Sequence, residues 1–322
     1  MVHETREAAA RTPHDLRVGA VAAMQRALTL GALGLATGVV ALGWSAGHPG
    51  WGIAAAAAIL GLQAAVLAVE FVWMAQANRA SGAPAATPGT LLRAWAQEVR
   101  AGLAVFCWRQ PFASRRWPDH LPATARGRRG VVLVHGFVCN RGLWNPWLQR
   151  LRALDVPHVA VDLEPPFAPL DDYFATVEAA VSRLQATTGL APVVVAHSMG
   201  GLVVRGWLGQ DAPQRLPRVQ HVLTLGTPHH GTALAGWALS PNARQMRRDS
   251  RWLQALRVRE PQAQAACFTC FWSHCDNIVF PASTATLPGA DNRHLPGTAH
   301  VQMVGHEAPW QRLRELLAQA PG

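Results

Sequence analysis

The chain predicts an α/β fold with a mostly parallel sheet covered by helices on both faces, preceded by two transmembrane helices. Two observations carry this expectation. From about residue 130 onward, short apolar runs of strand length alternate with longer helix-period patterns, the order of a parallel sheet whose crossovers are helices. Ahead of it, residues 27–69 carry no charged side chain between Arg26 and Glu70, enough for two spans of about 20 residues each. At 322 residues there is room for one α/β domain of ordinary size plus such an appendage.

Residues 1–26 form a polar N-terminal segment. The apolar stretch then divides at Gly47-His48-Pro49-Gly50, giving a helical hairpin of about 27–46 and 51–75 within a segment 27–77. Trp44, Trp51 and Trp73 fall near the proposed ends, where interfacial aromatics belong. A cleaved signal peptide competes with this reading, but its apolar core would run only about 7 to 15 residues. Glu70, near the end of the second span, is expected at the membrane interface, because a carboxylate in hydrocarbon is costly. Arg6, Arg11, Arg17 and Arg26 precede the hairpin, Arg79, Arg93 and Arg100 follow it, and the connecting turn has none. The positive-inside rule puts both flanks, and the domain that follows, on the cytoplasmic side of the cell (inner) membrane.

Residues 78–129 read as a linker and an amphipathic helix. The linker is the Ala-, Pro-, Gly- and Ser-rich stretch 78–90. Leu92, Trp95, Val99, Leu103 and Phe106 then recur at helical spacing beside Arg93, Glu98 and Arg100, for a helix that lies on the membrane or packs on the domain. Arg115, Arg116, Arg126, Arg128 and Arg129 follow as a basic cluster, either facing anionic headgroups or simply solvated.

The domain spans 130–322. Its strand candidates are Val131 to Val134, His158 to Val161, Val193 to Ala196, Val219 to Leu225 and Cys267 to Trp272. Helices are expected near 143–153, 171–187 and 199–210, with 308–319 closing the chain.

Composition excludes some classes. The net charge of +10 comes with Arg as the only basic residue besides His, and with abundant Ala, Gly and Pro, the mark of a coding bias more than of a partner. No nucleic-acid-binding module is recognisable, so no nucleic-acid partner is expected. Five cysteines without a framework spacing fit a reducing compartment. Cys267-x-x-Cys270 with His274 and Cys275 suggests zinc or redox chemistry, but on a strand from Ala265 to Trp272 residues three apart face opposite sides. Buried structural thiols, and no metal, are the expectation. With no phosphate loop, dinucleotide fingerprint or HExxH motif, no cofactor is expected either.

The run Ala196-His197-Ser198-Met199-Gly200-Gly201 is where chemistry enters. It sets a serine among small residues directly after the apolar strand Val193-Val194-Val195, the pattern of a strained strand-to-helix turn that exposes a nucleophile. Other motifs fall in order around it: Val134-His135-Gly136-Phe137, then Leu225-Gly226-Thr227-Pro228-His229-His230-Gly231-Thr232, then Asp276, then His300. From about 130 to its end the chain thereby resembles the α/β-hydrolase family, specifically the small bacterial triacylglycerol lipases and esterases. One position departs from the usual Gly-x-Ser-x-Gly, which here begins with Ala196. Alanine is the least intrusion after hydrogen, and some lipases of similar type use it.

The resemblance implies a Ser-acid-His order, with Ser198 as nucleophile. A serine hydroxyl needs a histidine to take its proton and a carboxylate to orient that histidine. Asp276, before Asn277-Ile278-Val279-Phe280-Pro281, resembles the family's acid; Asp291 is the alternative, while Asp162 and Glu164 precede the serine and fit the order poorly. His300, in Leu295-Pro296-Gly297-Thr298-Ala299-His300-Val301, resembles the base, with His306 and then His294 behind it. His135, His197, His229, His230 and His274 read as structural or supporting. Resemblance assigns the oxyanion-hole N–H donors to Phe137 and Met199. Similar lipases hold a structural calcium near the histidine loop, but Asp291 alone is too little to expect one.

Residues 231–262 form a long insertion in which Trp237, Leu239, Met246, Trp252, Leu253 and Leu256 mix with Arg244, Arg247, Arg248 and Arg251. A cap or lid over an acyl pocket is expected, against the alternative of a surface helix covering core. The implied function is a membrane-anchored lipase or esterase whose partners are a hydrophobic ester substrate and the lipid membrane. An acyltransferase or thioesterase on the same scaffold, and a non-catalytic membrane scaffold, are the other readings.

Overall fold

A computed structural model describes residues 19–319. Arg6, Arg11 and Arg17, which the topology expectation counts, lie outside the described residues. The apolar stretch forms two helices, α1 (Ala20–Ser45) and α2 (Pro49–Ala80), both long and apolar enough to cross a membrane. They turn at Gly47, whose φ of 76° favours glycine, and run closely side by side. A Cβ added at Gly52 would lie 2.7 Å from Val39 O, and one at Gly43 would lie 2.8 Å from Gly52 Cα, so small residues set the approach.

Both helices outrun the expected 27–46 and 51–75 at their domain ends. The reason is polar docking. Asn78, placed by sequence in a linker, is helical and buried: its Nδ2 donates to His274 O at 2.9 Å and its Oδ1 accepts from Ala282 N at 2.8 Å. Glu70, expected at a membrane interface, instead turns to the domain and accepts from Asn277 Nδ2 at 2.7 Å.

Helix α3 (Pro88–Ala104), capped by Thr87, packs on the domain, and the face it buries is not the one its periodicity suggests. Ala94, Glu98 and Gly102 are buried, while Leu92 is 65 % exposed and Leu103 45 %. Two backbone donors of the domain select the Glu98 face. The Trp95 indole meanwhile donates to Ala64 O of α2 at 2.9 Å. One π turn, Val105–Arg109, leads into α4 (Gln110–Ala113). The basic cluster separates in space: Arg115 and Arg116 share a cavity with Arg26, whereas Arg128 pairs with Asp155 and Arg129 donates to Ala191 O.

The domain is built on six parallel strands in the order β2-β1-β3-β4-β5-β6. These are β1 (Val131–Val134), β2 (His158–Ala160), β3 (Val193–His197), β4 (His221–Leu225), β5 (Phe268–Trp272) and β6 (Asp291–His294). Val131 lies opposite both His158 and Val193, so β1 and β3 are central and buried on both faces, which is why they read as unbroken apolar runs. Edge strand β6 is polar and exposed and gave no strand signal. β5 starts at Phe268 rather than Ala265, because Gln262–Cys267 form a 3-10 turn that takes Cys267 off the strand.

Helices cover both faces. On one, α6 (Phe174–Thr188) and α7 (Met199–Gln210) bury Val177, Val181, Leu184, Leu202 and Val203 against the sheet, α6 ending on left-handed Gly189. On the other lie α5 (Asn145–Ala153) and α11 (Glu307–Ala318), where Trp144, Trp147 and Trp310 meet edge to face at 5.5 and 5.3 Å. Short α8 (Ala212–Arg215) leads to β4. The insertion 231–262 holds α9 (Pro241–Gln245) and α10 (Arg251–Arg259). It behaves in two parts: Leu253 and Leu256 of α10 are buried, while Trp237 is 83 % exposed.

Candidate active site

Ser198 occupies the junction of β3 and α7 with φ 55° and ψ −128°, a conformation disfavoured for any residue with a Cβ. The surroundings hold it there. Its N–H donates to Leu225 O at 2.8 Å, and its carbonyl accepts from Gly201 N at 3.0 Å and Thr227 Oγ1 at 2.9 Å. The small residues after it are required sterically: a Cβ on Gly200 would overlap His135 O, and one on Gly201 would overlap Thr227.

Asp276, beyond β5, and His300, before the last helix, meet as a buried pair with His300 Nδ1 2.9 Å from Asp276 Oδ2. Asp276 is itself fixed, its Oδ1 accepting from Ile278 N at 2.9 Å and Val279 N at 2.8 Å. A carboxylate facing Nδ1 puts the imidazole proton on that nitrogen and leaves Nε2 as the basic one. Burial pushes the His300 pKa down. The Asp276 charge and hydrogen bond, with Glu98 and Glu70 behind them, outweigh burial and hold it above the ordinary histidine value.

Gly226 joins this pair to the serine. It follows Leu225, the residue that anchors Ser198, and a Cβ there would lie 2.9 Å from Asp276 Oδ2 and 3.0 Å from His300 Nδ1. On the opposite side, a Cβ on Gly136 would come within 2.8 Å of Ser198 Cβ, so the His135-Gly136-Phe137 loop is tight against the serine. Phe137 meets Phe167 edge to face at 5.8 Å. Met199 opens α7, where an N–H has no partner within the helix.

Comparison with known proteins agrees with this architecture. A family model described as the alpha/beta hydrolase family matches residues 131–320. The chain belongs to that family. Among solved structures, mature lipase BlEst2 of Bacillus licheniformis is similar at 18 % identity and a TM-score of 0.51, over 62 % of this chain and 96 % of that one. Lipase B of Aspergillus fumigatus is similar at 20 % identity and a TM-score of 0.53, over 65 % of this chain and only 58 % of that one. At such identities the likeness is one of fold. No curated protein matches the chain.

The other candidates in this α/β-hydrolase have different partners. Asp291 bonds Arg293 Nε at 2.8 Å; Asp162 accepts from Arg141 N at 2.7 Å; Glu164 receives backbone donors Ala20 and Val21 at the start of α1. His294 stacks on Trp272 at 4.3 Å and bonds His274, and His306 caps α11 by accepting from Ala308 N. His135 accepts from Leu163 N through Nε2, so its Nδ1 carries the proton toward Gly136 O, and burial lowers its pKa. His197 donates from Nε2 to His300 O at 3.2 Å. The Cys270 thiol lies 3.4 Å from His229 Nε2, and burial pushes its pKa up to about 12. Such a thiol is a poor nucleophile.

Three residues that sequence reasoning gave no site role, Asn277, Glu70 and Glu98, stand around the pair, and a fourth, Gln25, stands at the Phe137 loop. Asn277 accepts from His300 N at 3.3 Å through its Oδ1 and donates from Nδ2 to Glu70 Oε2 at 2.7 Å. Glu98, 2 % exposed, accepts from Val301 N at 2.8 Å and Gln302 N at 3.0 Å. Burial raises its pKa to about 7 against those two donors. Gln25 of α1 donates from Nε2 to Val138 O at 3.0 Å, just beyond Phe137.

Proposed function

We propose that this α/β-hydrolase is a membrane-anchored serine hydrolase that cleaves carboxylic esters of hydrophobic acyl groups through an acyl-serine intermediate. The observation that carries the reading is the buried Asp276–His300 pair, linked through Gly226 and Leu225 to a serine held at positive φ. Family membership and lipase-like neighbours support hydrolase activity.

In this reading Ser198 Oγ gives its proton to His300 Nε2 as it attacks the ester carbonyl. Asp276 stabilises the imidazolium that forms. Negative charge gathers on the carbonyl oxygen, and the Phe137 and Met199 N–H groups meet it there. Collapse of the tetrahedral intermediate breaks the C–O bond, His300 protonates the departing alcohol, and the acyl group stays on Ser198. Water, deprotonated by His300, then repeats the sequence to release the carboxylic acid and restore the serine.

Support for a bilayer setting comes from the hairpin. Leu28, Leu33, Leu35, Leu42, Ile53 and Leu62 are exposed along α1 and α2, as lipid-facing side chains would be. Trp73 and Ala77 of α2 share a cavity of about 460 Å³ with Leu234, Trp237 and Phe280, an apolar approach for an acyl chain beside the acid loop. Trp237, in the 233–239 part of the insertion, lines that cavity, while α10 buries Leu253 and Leu256 against the core.

The test is hydrolysis of an ester series from short to long acyl chains, by wild type and Ser198→Ala in detergent. Expected are a chain-length optimum for wild type and loss of turnover for folded Ser198→Ala. Equal turnover by the variant overturns the reading.

A further inference from the structure

From each N-terminal helix a polar side chain reaches a different loop of the candidate site. From α1, Gln25 donates to Val138 O beside the Phe137 loop, and Gln110 of α4 supports it by accepting from Asn140 N at 3.1 Å. From α2, Glu70 accepts from Asn277, whose Oδ1 in turn accepts from His300 N. From α3, Glu98 accepts from the two amides that follow His300. None of these helices lies within the segment that matches the family model, 131–320. An anchor joined by a free linker would leave those loops to the α/β domain alone, and burying a carboxylate such as Glu98 without a function for its two acceptors would be costly.

We propose that Gln25, Glu70 and Glu98 are positioning residues that fix the oxyanion, acid and base loops respectively, so that the N-terminal helices complete the active centre as well as tethering it. The activity readout rests on the ester-hydrolase reading; the positional one does not. A displacement of a reacting group by even about 1 Å can cost roughly 100-fold in rate, so loops held by a few such side chains are sensitive to the loss of one.

The experiment uses the full chain in detergent, with Gln25→Leu, Glu70→Leu and Glu98→Leu set beside the hydrogen-bonding replacements Glu70→Gln and Glu98→Gln. Rates are taken per folded protein, by near-UV circular dichroism, on a short soluble ester. Each Leu variant is expected to lower kcat by about ten-fold or more with KM within about two-fold; Glu70→Gln, which keeps the one acceptor that Asn277 needs, stays within about three-fold of wild type, and Glu98→Gln, which keeps one acceptor but turns an NH2 group toward the second amide, falls between wild type and Glu98→Leu. Amide hydrogen exchange by mass spectrometry is read on the same proteins. Exchange is expected to rise in 136–140 for Gln25→Leu, in 276–280 for Glu70→Leu and in 299–303 for Glu98→Leu. Unchanged kcat with unchanged exchange overturns the inference, as does a loss shared equally by Leu and Gln variants. If wild type turns over no ester, the hydrolase reading fails, and the exchange pattern alone decides whether the helices position the loops.

Discussion

His300 lies under opposed influences whose balance is measurable. Burial disfavours its charged form, and the facing Asp276, with Glu98 and Glu70 beyond it, favours that form and prevails. The neighbouring His197 ring, 4.6 Å away, is driven well below its ordinary value, chiefly by burial, and therefore adds no positive charge at neutral pH. In the proposed mechanism only neutral His300 accepts the Ser198 proton, so activity would fall as pH drops through the raised pKa. The acid limb of kcat/KM is thus expected above pH 6.5, the ordinary histidine value. A limb at or below that value contradicts the balance described. If Phe137 and Met199 supply the oxyanion hole as proposed, side-chain changes there should matter less, because only their backbone N–H groups would act.

Among elements, the β3–α7 junction concentrates the steric requirements. A methyl on Gly200 would press on two backbone oxygens, His135 O and Val134 O, the second at 2.8 Å, and backbone cannot swing aside as a side chain can. Gly200→Ala is expected to cost about 1–3 kcal/mol, read as a lowered midpoint in chemical or thermal unfolding. An unchanged midpoint would mean that the turn has slack. The same element was the most legible in sequence, because apolar strand, small residues and serine stand within a few positions. Ser198 could be singled out by its local pattern, and Asp276 and His300 through the resemblance to the hydrolase family's Ser-acid-His order; the structure brings these two into a hydrogen bond. Strand β6 could not, since a polar edge strand has neither a buried face nor an alternating one. Helix α3 misled in a specific way: its periodic Leu92 and Leu103 point outward, and the buried face is defined by Ala94, Glu98 and Gly102. Glu98, beside Gln97 and Arg100 and on the same helix as Arg93, looks like part of a solvent-facing polar side until its partners, 203 and 204 positions away, are known.

At the scale of the whole molecule, the helical hairpin and the α/β domain share hydrogen bonds in both directions. Glu164 after β2 receives the backbone donors that open α1, while Glu70 and Asn78 of α2 reach into the loops after β5. Phe71 and Met74 of α2 pack with Ala94, Cys275, Phe280 and Ala299, so an apolar cluster joins the helices to the loops that carry Asp276 and His300. This clustering puts the apolar cavity at Trp73 and Trp237 on the hairpin side of the site. The account stands or falls on Ser198 as the nucleophile. Full-length protein in detergent, treated with a fluorophosphonate and digested for peptide mass spectrometry, is predicted to carry the phosphonyl adduct on Ser198 with hydrolysis lost in parallel. An adduct on another residue, or full labelling of Ser198 with ester hydrolysis intact, would contradict it.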